Sequence, residues 1–223
     1  DYLICLRKFY NLADYLTINI SSPNTENLRS FHNRDELNEL LSLIEKEKKI
    51  LKTKVPITVK ISPDIKDENI NMISDLLLKY DVKAIIISNT TDKNRENLIN
   101  VNKLEKGGLS GKPLEKRSNL IINKFYKHLK DTIKIIGVGG VDSGRSAYEK
   151  IINGATLVQL YTGMIYEGPN IANKINNELV DILKHKDIDV VVELVGGSEG
   201  IAKKVIISAL KFFILIFELC VIE

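Results

Sequence analysis

The chain has 223 residues, of which 44% are hydrophobic and 27% are charged, a composition that excludes an intrinsically disordered, collagen-like or disulfide-stapled protein. The formal net charge is +3 and the basic residues form no dense block, so nucleic acid is not an expected partner. Cys5 and Cys220 lie near opposite ends without the spacing of metal ligands, which predicts free thiols in a reducing compartment and no metal site.

Short apolar runs rich in β-branched residues alternate along the chain with longer segments of helical periodicity. Strands are predicted, in chain order, at Leu16 to Ile20, Ile57 to Ile61, Ala84 to Ser88, Ile133 to Val138 and Thr156 to Tyr161. Helices are predicted at Arg34 to Leu51, Glu68 to Lys79, Glu115 to Leu129, Arg145 to Asn153 and Ala172 to Lys184. A further amphipathic helix is predicted at the start of the chain, and the charges of residues 45–49 are predicted to form a solvated helix surface.

Alternation of this kind predicts parallel strands joined by right-handed crossovers, in either a doubly wound open sheet or a TIM barrel. An open sheet concentrates its site at one switch point, whereas the C-terminal ends of all the strands of a barrel surround one site. Polar or glycine residues end or directly follow every predicted strand: Asn19 and Ser22; Lys60; Ser88, Asn89 and Thr90; Gly137, Gly139 and Gly140; Tyr161 and Thr162. The sequence therefore predicts an α/β fold, a partial TIM (β/α)8 barrel with about five of its eight β/α units.

The two ends of the chain carry separate expectations. Because Asp1 lies inside a predicted helix and only part of a barrel is readable, we expect the first strands of the barrel to precede this chain. Residues 205–222 are strongly apolar, but Lys211 and Glu218 interrupt them, and a spanning helix needs about 20 apolar residues. We therefore expect no membrane span in this segment.

A glycine cluster lies in the segment Ile136 to Asp142, where a strand ends and a helix is predicted to begin near Ser143. Glycines let backbone N–H groups approach a phosphate, and a helix N-terminus favours an anion. The next strand ends at Tyr161 and Thr162, and the loops after the last two barrel strands are the usual phosphate site of this fold. The pattern predicts one phosphate shared by the two turns, with a tight turn that binds nothing as the alternative. The segment Gly107 to Gly111 is predicted to be a flexible turn over a ligand.

Lysine and asparagine residues at other strand ends are candidates for binding a planar ligand. Lys60 ends an apolar strand, where it could stabilise negative charge on an electron-rich ring, or else extend to solvent as a surface lysine. Asn19, Asn24 and Asn89 offer both donors and acceptors, although Asn24 could simply form a turn.

A hydrolase with a Ser/His/Asp triad is disfavoured. No residue next to Ser22 can activate its hydroxyl, and the pattern Gly-x-Ser-x-Gly is absent. The three histidines, His32, His128 and His185, are predicted to lie on the surface.

Six segments between residues 1 and 185 resemble, in order, the signatures of dihydroorotate dehydrogenases. They are Thr17 to Thr25 with Leu28 and Arg29; Val59 to Asp64; Ser88 to Thr91; Gly107 to Gly111; Gly137 to Gly140; and Val158 to Gly163. A serine at position 22, where class 1 enzymes carry cysteine, resembles class 2, the quinone-dependent branch. Ser88 departs from the threonine common in the family but keeps the hydroxyl.

This resemblance implies a role for each matching residue. The implied FMN contacts are Asn19, Lys60, Ser88, Gly111, Gly140, Tyr161 and Thr162, and the implied contacts of dihydroorotate or orotate are Asn19, Asn24, Asn89 and Thr90. Ser22 matches the base that takes a proton from C5 of dihydroorotate, and Thr25 matches its hydrogen-bonded relay. The reaction implied is the FMN-dependent oxidation of dihydroorotate to orotate by a quinone, in the biosynthesis of UMP.

The family also implies peripheral association with the cytoplasmic side of the cell membrane, through a segment that precedes the part matched here. We expect the chain alone to bind FMN poorly, to be inactive and to remain in the cytoplasm. Two alternatives stay open: a decayed remnant without catalysis, and another flavin barrel of the dihydropyrimidine dehydrogenase or dihydrouridine synthase type.

Two units are predicted along the chain: an FMN-binding barrel at 1–186 and a tail at 187–223 of uncertain role. Within the tail, Asp189 to Gly197 resembles a strand and turn of homoserine dehydrogenases. A single strand and helix cannot form a dinucleotide site, so no NAD function is expected.

Overall fold

The computed structural model describes residues 1–93, 95–96 and 98–183. The predicted tail at 187–223, with its resemblance to homoserine dehydrogenases, lies outside the described residues, as do His185 and Cys220. Within the described ranges, the helices are too short or too polar for any of them to cross a bilayer.

Five strands form one parallel sheet, and they lie side by side in the order in which they occur along the chain. The strands are β1 (Leu16–Asn19), β2 (Ile57–Ile61), β3 (Val82–Ile87), β4 (Lys134–Val138) and β5 (Leu157–Gln159). This order confirms the predicted partial barrel, because a doubly wound sheet would reverse direction at a switch point.

Seven α-helices accompany the sheet in the described residues. They are α1 (Tyr2–Phe9), α2 (Arg34–Ile50), α3 (Glu68–Lys79), α4 (Glu115–Leu129), α5 (Gly144–Ile152), α6 (Thr162–Glu167) and α7 (Ile171–Leu183). Short 3-10 helices lie at Leu28–His32, Val101–Leu104 and Lys112–Leu114. All predicted helices are confirmed to within one residue at each end, whereas α6, which has six residues, was not predicted.

The two faces of the sheet pack differently. Alternate residues of β2, such as Val59 and Ile61, join the large apolar core formed with α2, α3 and α4. The opposite face, which is the interior side of a barrel, carries a smaller apolar cluster of Ala84, Ile86 and Ile136. Successive side chains of a strand point to opposite faces, so Ser88 and Val138, two residues after Ile86 and Ile136, lie on the same interior face at the C-terminal edge of the sheet.

Two charged residues of the run 45–49 are buried, so the prediction of a solvated surface is wrong for them. Glu47 accepts two hydrogen bonds of 2.8 Å from Arg7 on α1, and Lys48 donates to Asp81 at 3.1 Å. These ion pairs join α2 to α1 and to the turn before β3. Burial is tolerated because each charge has a partner with which to hydrogen-bond.

The start of α5 is fixed by its own side chains. The Ser143 hydroxyl accepts a hydrogen bond from the backbone N–H of Ser146, and the Ser146 hydroxyl accepts one in return from the backbone N–H of Ser143. This capping box satisfies donors that the first turn of a helix leaves unpaired. It confirms the predicted helix start and ends the glycine turn at a defined residue.

Adjacent leucines on α3 provide a test of the core. Leu77 is fully buried, whereas Leu78 is 43% exposed. We expect Leu77→Ala to lower the free energy of unfolding by about 2–5 kcal/mol, since it removes buried methyl groups and leaves a cavity. The matched variant Leu78→Ala should cost less than about 1 kcal/mol. Urea unfolding followed by circular dichroism measures both, and equal losses would contradict this packing.

Candidate functional site

The carboxyl ends of all five strands lie at one edge of the sheet, and the predicted site residues follow them there. The register pairs Asn19 with Lys60. Two residues earlier on the same strands and on the same face of the sheet, Thr17 pairs with Thr58, and their hydroxyls are 2.9 Å apart. Lys60 is only 9% exposed, so the alternative of a surface lysine is wrong. A buried ammonium group at this edge is suited to an electron-rich or anionic ligand.

The side chains that follow β1 and β3 form a hydrogen-bonded cluster, which we call the amide cluster: Asn19, Ser21, Asn89 and Thr90. The Ser21 hydroxyl donates to Oδ1 of Asn19 at 2.7 Å and accepts from Nδ2 of Asn89 at 3.0 Å. Oδ1 of Asn89 accepts from the backbone N–H of Thr90 at 2.8 Å. The structure thus brings three of the four predicted substrate contacts together.

Ser22, Asn24 and Thr25 lie on the loop that leaves the amide cluster. Oγ of Ser22 accepts from the backbone N–H of Asn24 at 3.2 Å, and Ser22 is half-buried. Asn24 and Thr25 are exposed, and no hydrogen bond links the Thr25 and Ser22 hydroxyls in the part of the chain described. The fourth predicted substrate contact, Asn24, therefore stands on the open side of the site.

Arg29 ties together the loops that follow three strands. Its guanidinium lies 3.2 Å from Asp64 after β2 and 3.1 Å from Asp92 after β3. The same group donates at 3.4 Å to the carbonyl oxygens of Ser21, after β1, and of Thr90, after β3. Asp64 also accepts from the Thr91 hydroxyl at 2.6 Å. A planar guanidinium has five donors in a fixed geometry, which suits it to hold three loops at once.

Buried His32 is a correction to the sequence analysis. The predicted surface position is right for His128 but wrong for His32, which is 7% exposed and accepts from the backbone N–H of Ser62 at 3.4 Å. Burial and then the nearby charge of Arg29 lower the pKa of His32 to about 4. The histidine is therefore neutral at pH 7 and supports the loop after β2.

Gly111, after β3, and Gly140, after β4, lie so close to neighbouring residues that a side chain would not fit at either position. Gly140 has a φ of +79°, and a Cβ added to it would lie 2.6 Å from Cβ and 2.9 Å from Cα of Glu115. Gly111 also has a φ of +79°, and its added Cβ would lie 2.9 Å from Cγ2 of Thr162. Thr162 donates to the Ser110 hydroxyl at 2.8 Å, so the loops after β3 and β5 meet here. Glycine is thus required at both positions.

A cavity of about 520 Å³ lies beside this meeting point, lined in part by Gly108, Ser110, Thr162 and Tyr166. Tyr161, a predicted FMN contact, is 64% exposed at the start of α6. A second cavity, of about 330 Å³, lies at the opposite end of the sheet, near Lys48 and Asp81.

Two buried polar side chains at the strand ends lack a hydrogen-bond partner among the residues that the structure describes. They are Ser88, through Oγ, and Gln159, through both amide atoms. Ser88 is 1% and Gln159 2% exposed. Because a buried polar atom normally has a partner, these atoms mark the interior face as a place for a polar ligand. Ser88 was predicted from the sequence, and Gln159 was not.

Lys150 supports the strand ends from the helix layer. Its ammonium group donates to the Ser118 hydroxyl at 3.1 Å and to Asn119 at 3.0 Å. Ser118 in turn donates to the carbonyl oxygens of Val138 at 2.5 Å and of Ile87 at 3.3 Å, the last residues of β4 and β3. No sequence motif indicated this contact, because a lysine in an amphipathic helix is typically exposed.

Comparisons with known proteins agree with this geometry. The sequence model of the family "Dihydroorotate dehydrogenase" matches residues 1–183. The chain is 47% identical over 180 residues to dihydroorotate dehydrogenase (quinone) of Nitrosomonas europaea, which covers 78% of this chain and 52% of the relative. With the enzyme of the same name from Psychromonas ingrahamii the identity is 46% over 184 residues, 80% of this chain and 54% of the relative.

Solved structures of DHODH from Eimeria tenella have the same fold. The complex with ferulenol matches with a TM-score of 0.79 at 35% identity, covering 82% of this chain and 54% of that one. The ligand-free form matches with a TM-score of 0.81, also at 35% identity, covering 84% and 56%. The chain spans about half the length of the curated relatives it matches.

The buried ammonium group of Lys150 predicts a pH dependence. Burial lowers its pKa from 10.5 to about 7, and the charge of Glu115 opposes this shift. Between pH 7 and 10.5 the unfolded chain keeps the proton that the folded chain has lost, so the stability of the fold rises with pH across this window.

We expect the free energy of unfolding of the wild type to rise relative to that of Lys150→Met as the pH increases from about 7 to about 10, with no relative change below about pH 6. Lys116→Met, at an exposed position of α4, is the control, and its difference from the wild type should stay constant. Denaturant unfolding at each pH gives these values. A constant difference for Lys150→Met would contradict the burial of its charge.

Proposed function

Because the chain belongs to the dihydroorotate dehydrogenase family, we propose that it carries the flavin- and substrate-binding strand ends of a quinone-dependent enzyme that oxidises dihydroorotate to orotate in the biosynthesis of UMP. The observation that carries this proposal is the convergence of Asn19, Lys60, Ser88 and Asn89 on one edge of a parallel sheet, next to the turn at Gly140. Hydride transfer of this kind needs the substrate ring to lie against the face of a planar cofactor.

The residues present suit FMN. A phosphate needs backbone N–H groups that no side chain covers, and the close contact of Gly140 with Glu115 leaves room for glycine alone at that turn. The isoalloxazine ring needs polar groups on the interior face, where the buried oxygen of Ser88 and the ammonium group of Lys60 lie. Asn19, Gly111, Tyr161 and Thr162 would complete the contacts. When bound, FMN supplies the acceptor for the hydride from C6 of dihydroorotate.

The chain's own residues would orient the substrate and move one proton. Asn19, Asn89 and Thr90 would hold the ring of dihydroorotate, and Asn24 would contact it from the open side of the site. Ser22 would take the proton from C5 through its Oγ, with Thr25 as its hydrogen-bonded relay. A serine hydroxyl is a weak base, so this transfer needs a site from which bulk water is excluded.

The partner that takes up the electrons would be a quinone, in keeping with the names of the relatives. We propose peripheral association with the cytoplasmic side of the cell membrane for the assembled enzyme. No separate observation favours the dihydropyrimidine dehydrogenase type. The expectation that the chain alone is inactive stays a prediction, and an assay of orotate formation with dihydroorotate and a quinone tests it.

The flavin site can be tested without turnover. In a ¹H–¹⁵N correlation spectrum of the full chain, FMN is expected to shift the backbone signals of Gly139, Gly140 and Thr162, whereas riboflavin, which lacks the phosphate, should leave these signals largely unchanged. Titration to millimolar concentrations reports even weak binding. Signals that respond equally to both compounds, or shifts elsewhere only, would contradict the phosphate site.

A pair of glycine variants tests the same site. Gly140→Ala places a methyl group against Glu115, and we expect the dissociation constant of FMN to rise at least about ten-fold. Gly168→Ala is the control, since Gly168 has the same φ of +79° but its added Cβ would meet nothing within 4 Å. The control variant should bind FMN as the wild type does. Equal effects of the two variants would point to backbone strain instead of a phosphate cradle.

A further inference from the structure

Two backbone N–H groups fix the orientation of the amides in the amide cluster. The N–H of Ser21 donates to the Asn19 side chain at 3.2 Å, and the N–H of Thr90 donates to the Asn89 side chain at 2.8 Å. A backbone N–H can only donate, so the atom that faces it must be the amide oxygen in each case. The Asn19 and Asn89 amides therefore each have one permitted orientation.

The Ser21 hydroxyl connects these two amides. Because Oδ1 of Asn19 is an acceptor, the hydroxyl must donate to it, at 2.7 Å; because Nδ2 of Asn89 is a donor, the same hydroxyl must accept from it, at 3.0 Å. Nδ2 of Asn89 also lies 3.4 Å from Oδ1 of Asn19. Ser21 is fully buried, so water cannot replace its hydroxyl from the surface.

We propose that Ser21 is a positioning residue of this site: its hydroxyl holds the Asn19 and Asn89 amides in one orientation, in which Nδ2 of Asn19 points away from the cluster as a donor. Oδ1 of Asn19 already receives three donors, and no described residue accepts from its Nδ2. The part of a ligand that meets Asn19 must therefore be an acceptor, namely a carbonyl or carboxylate oxygen. This ligand preference rests on the proposed function, whereas the orientation of the amides does not.

The backbone of Ser21 is held independently of its hydroxyl. Arg29 donates to the carbonyl oxygen of Ser21 at 3.4 Å. The preceding residue, Ile20, is fully buried, and its backbone N–H donates to the backbone carbonyl oxygen of Lys60 at 3.2 Å. Removal of the hydroxyl alone should thus leave the loop in place and free the Asn19 and Asn89 amides from their fixed orientation. This separation makes Ser21→Ala an informative variant.

The test follows the side-chain NH₂ signals of Asn19 and Asn89 in the ¹⁵N-labelled full chain. In Ser21→Ala, we expect hydrogen exchange at Nδ2 of Asn89 to accelerate at least about ten-fold, because the nearer of its two acceptors is lost. Ser74→Ala is the matched control, since Ser74 is 1% exposed and its hydroxyl donates to the carbonyl oxygen of Ile70, within α3 and away from the site. Unchanged exchange at Asn89 in Ser21→Ala would overturn the proposal.

A titration with orotate provides the functional measurement. The dissociation constant of orotate should rise at least about ten-fold in Ser21→Ala and stay within about two-fold in Ser74→Ala. Faster exchange with unchanged orotate affinity would overturn the positioning role. If orotate does not bind the wild type, the proposed function fails and the exchange data alone decide the role of Ser21.

A measurement on the wild type covers the case in which Ser21→Ala does not fold. One Nδ2 hydrogen of Asn89 should exchange at least about ten-fold more slowly than those of Asn24, whose side chain is exposed. Equal rates at the two asparagines would overturn the proposal without any variant.

Discussion

The common direction of the five strands is the constraint on which the rest of this molecule depends. Because every strand runs the same way, every carboxyl end opens at one edge, and residues as far apart as Asn19 and Thr162 become neighbours of one site. Parallel strands bury both faces of a sheet, so their middles are mostly apolar and the polar side chains that can face a ligand collect at that edge. The apolar cluster of Ala84, Ile86 and Ile136 and the polar groups above it are two results of the same arrangement.

Much of the architecture could be predicted because its signals are local. The β-branched runs predicted all five strands, and helical periodicity predicted α2, where Leu37, Leu40 and Ile44 form the buried stripe, since periodicity is a property of neighbouring residues. Helix α6 was missed because six residues are too few to show a period. The position of the site at the strand ends follows from the same alternation, because parallel strands bring their carboxyl ends to one edge.

Contacts between distant residues could not be predicted in this way. The burial of Glu47 depends on Arg7, 40 residues earlier, and that of His32 on the N–H of Ser62, 30 residues later. The sequence alone does not indicate a role for Ser21, because any small buried residue could stand at this position between Asn19 and Ser22. Its role follows only from the donor and acceptor atoms that the fold brings to it, and the same holds for Lys150 behind the strand ends.

The guanidinium of Arg29, shared by loops from three strands, has an evolutionary consequence. An insertion or deletion in any one of these loops would draw its carbonyl or carboxylate away from a group that the other two also use. Lineages that keep this arginine are therefore expected to preserve the short stretches around Ser21, Asp64 and Asp92, and to vary in length away from these contacts.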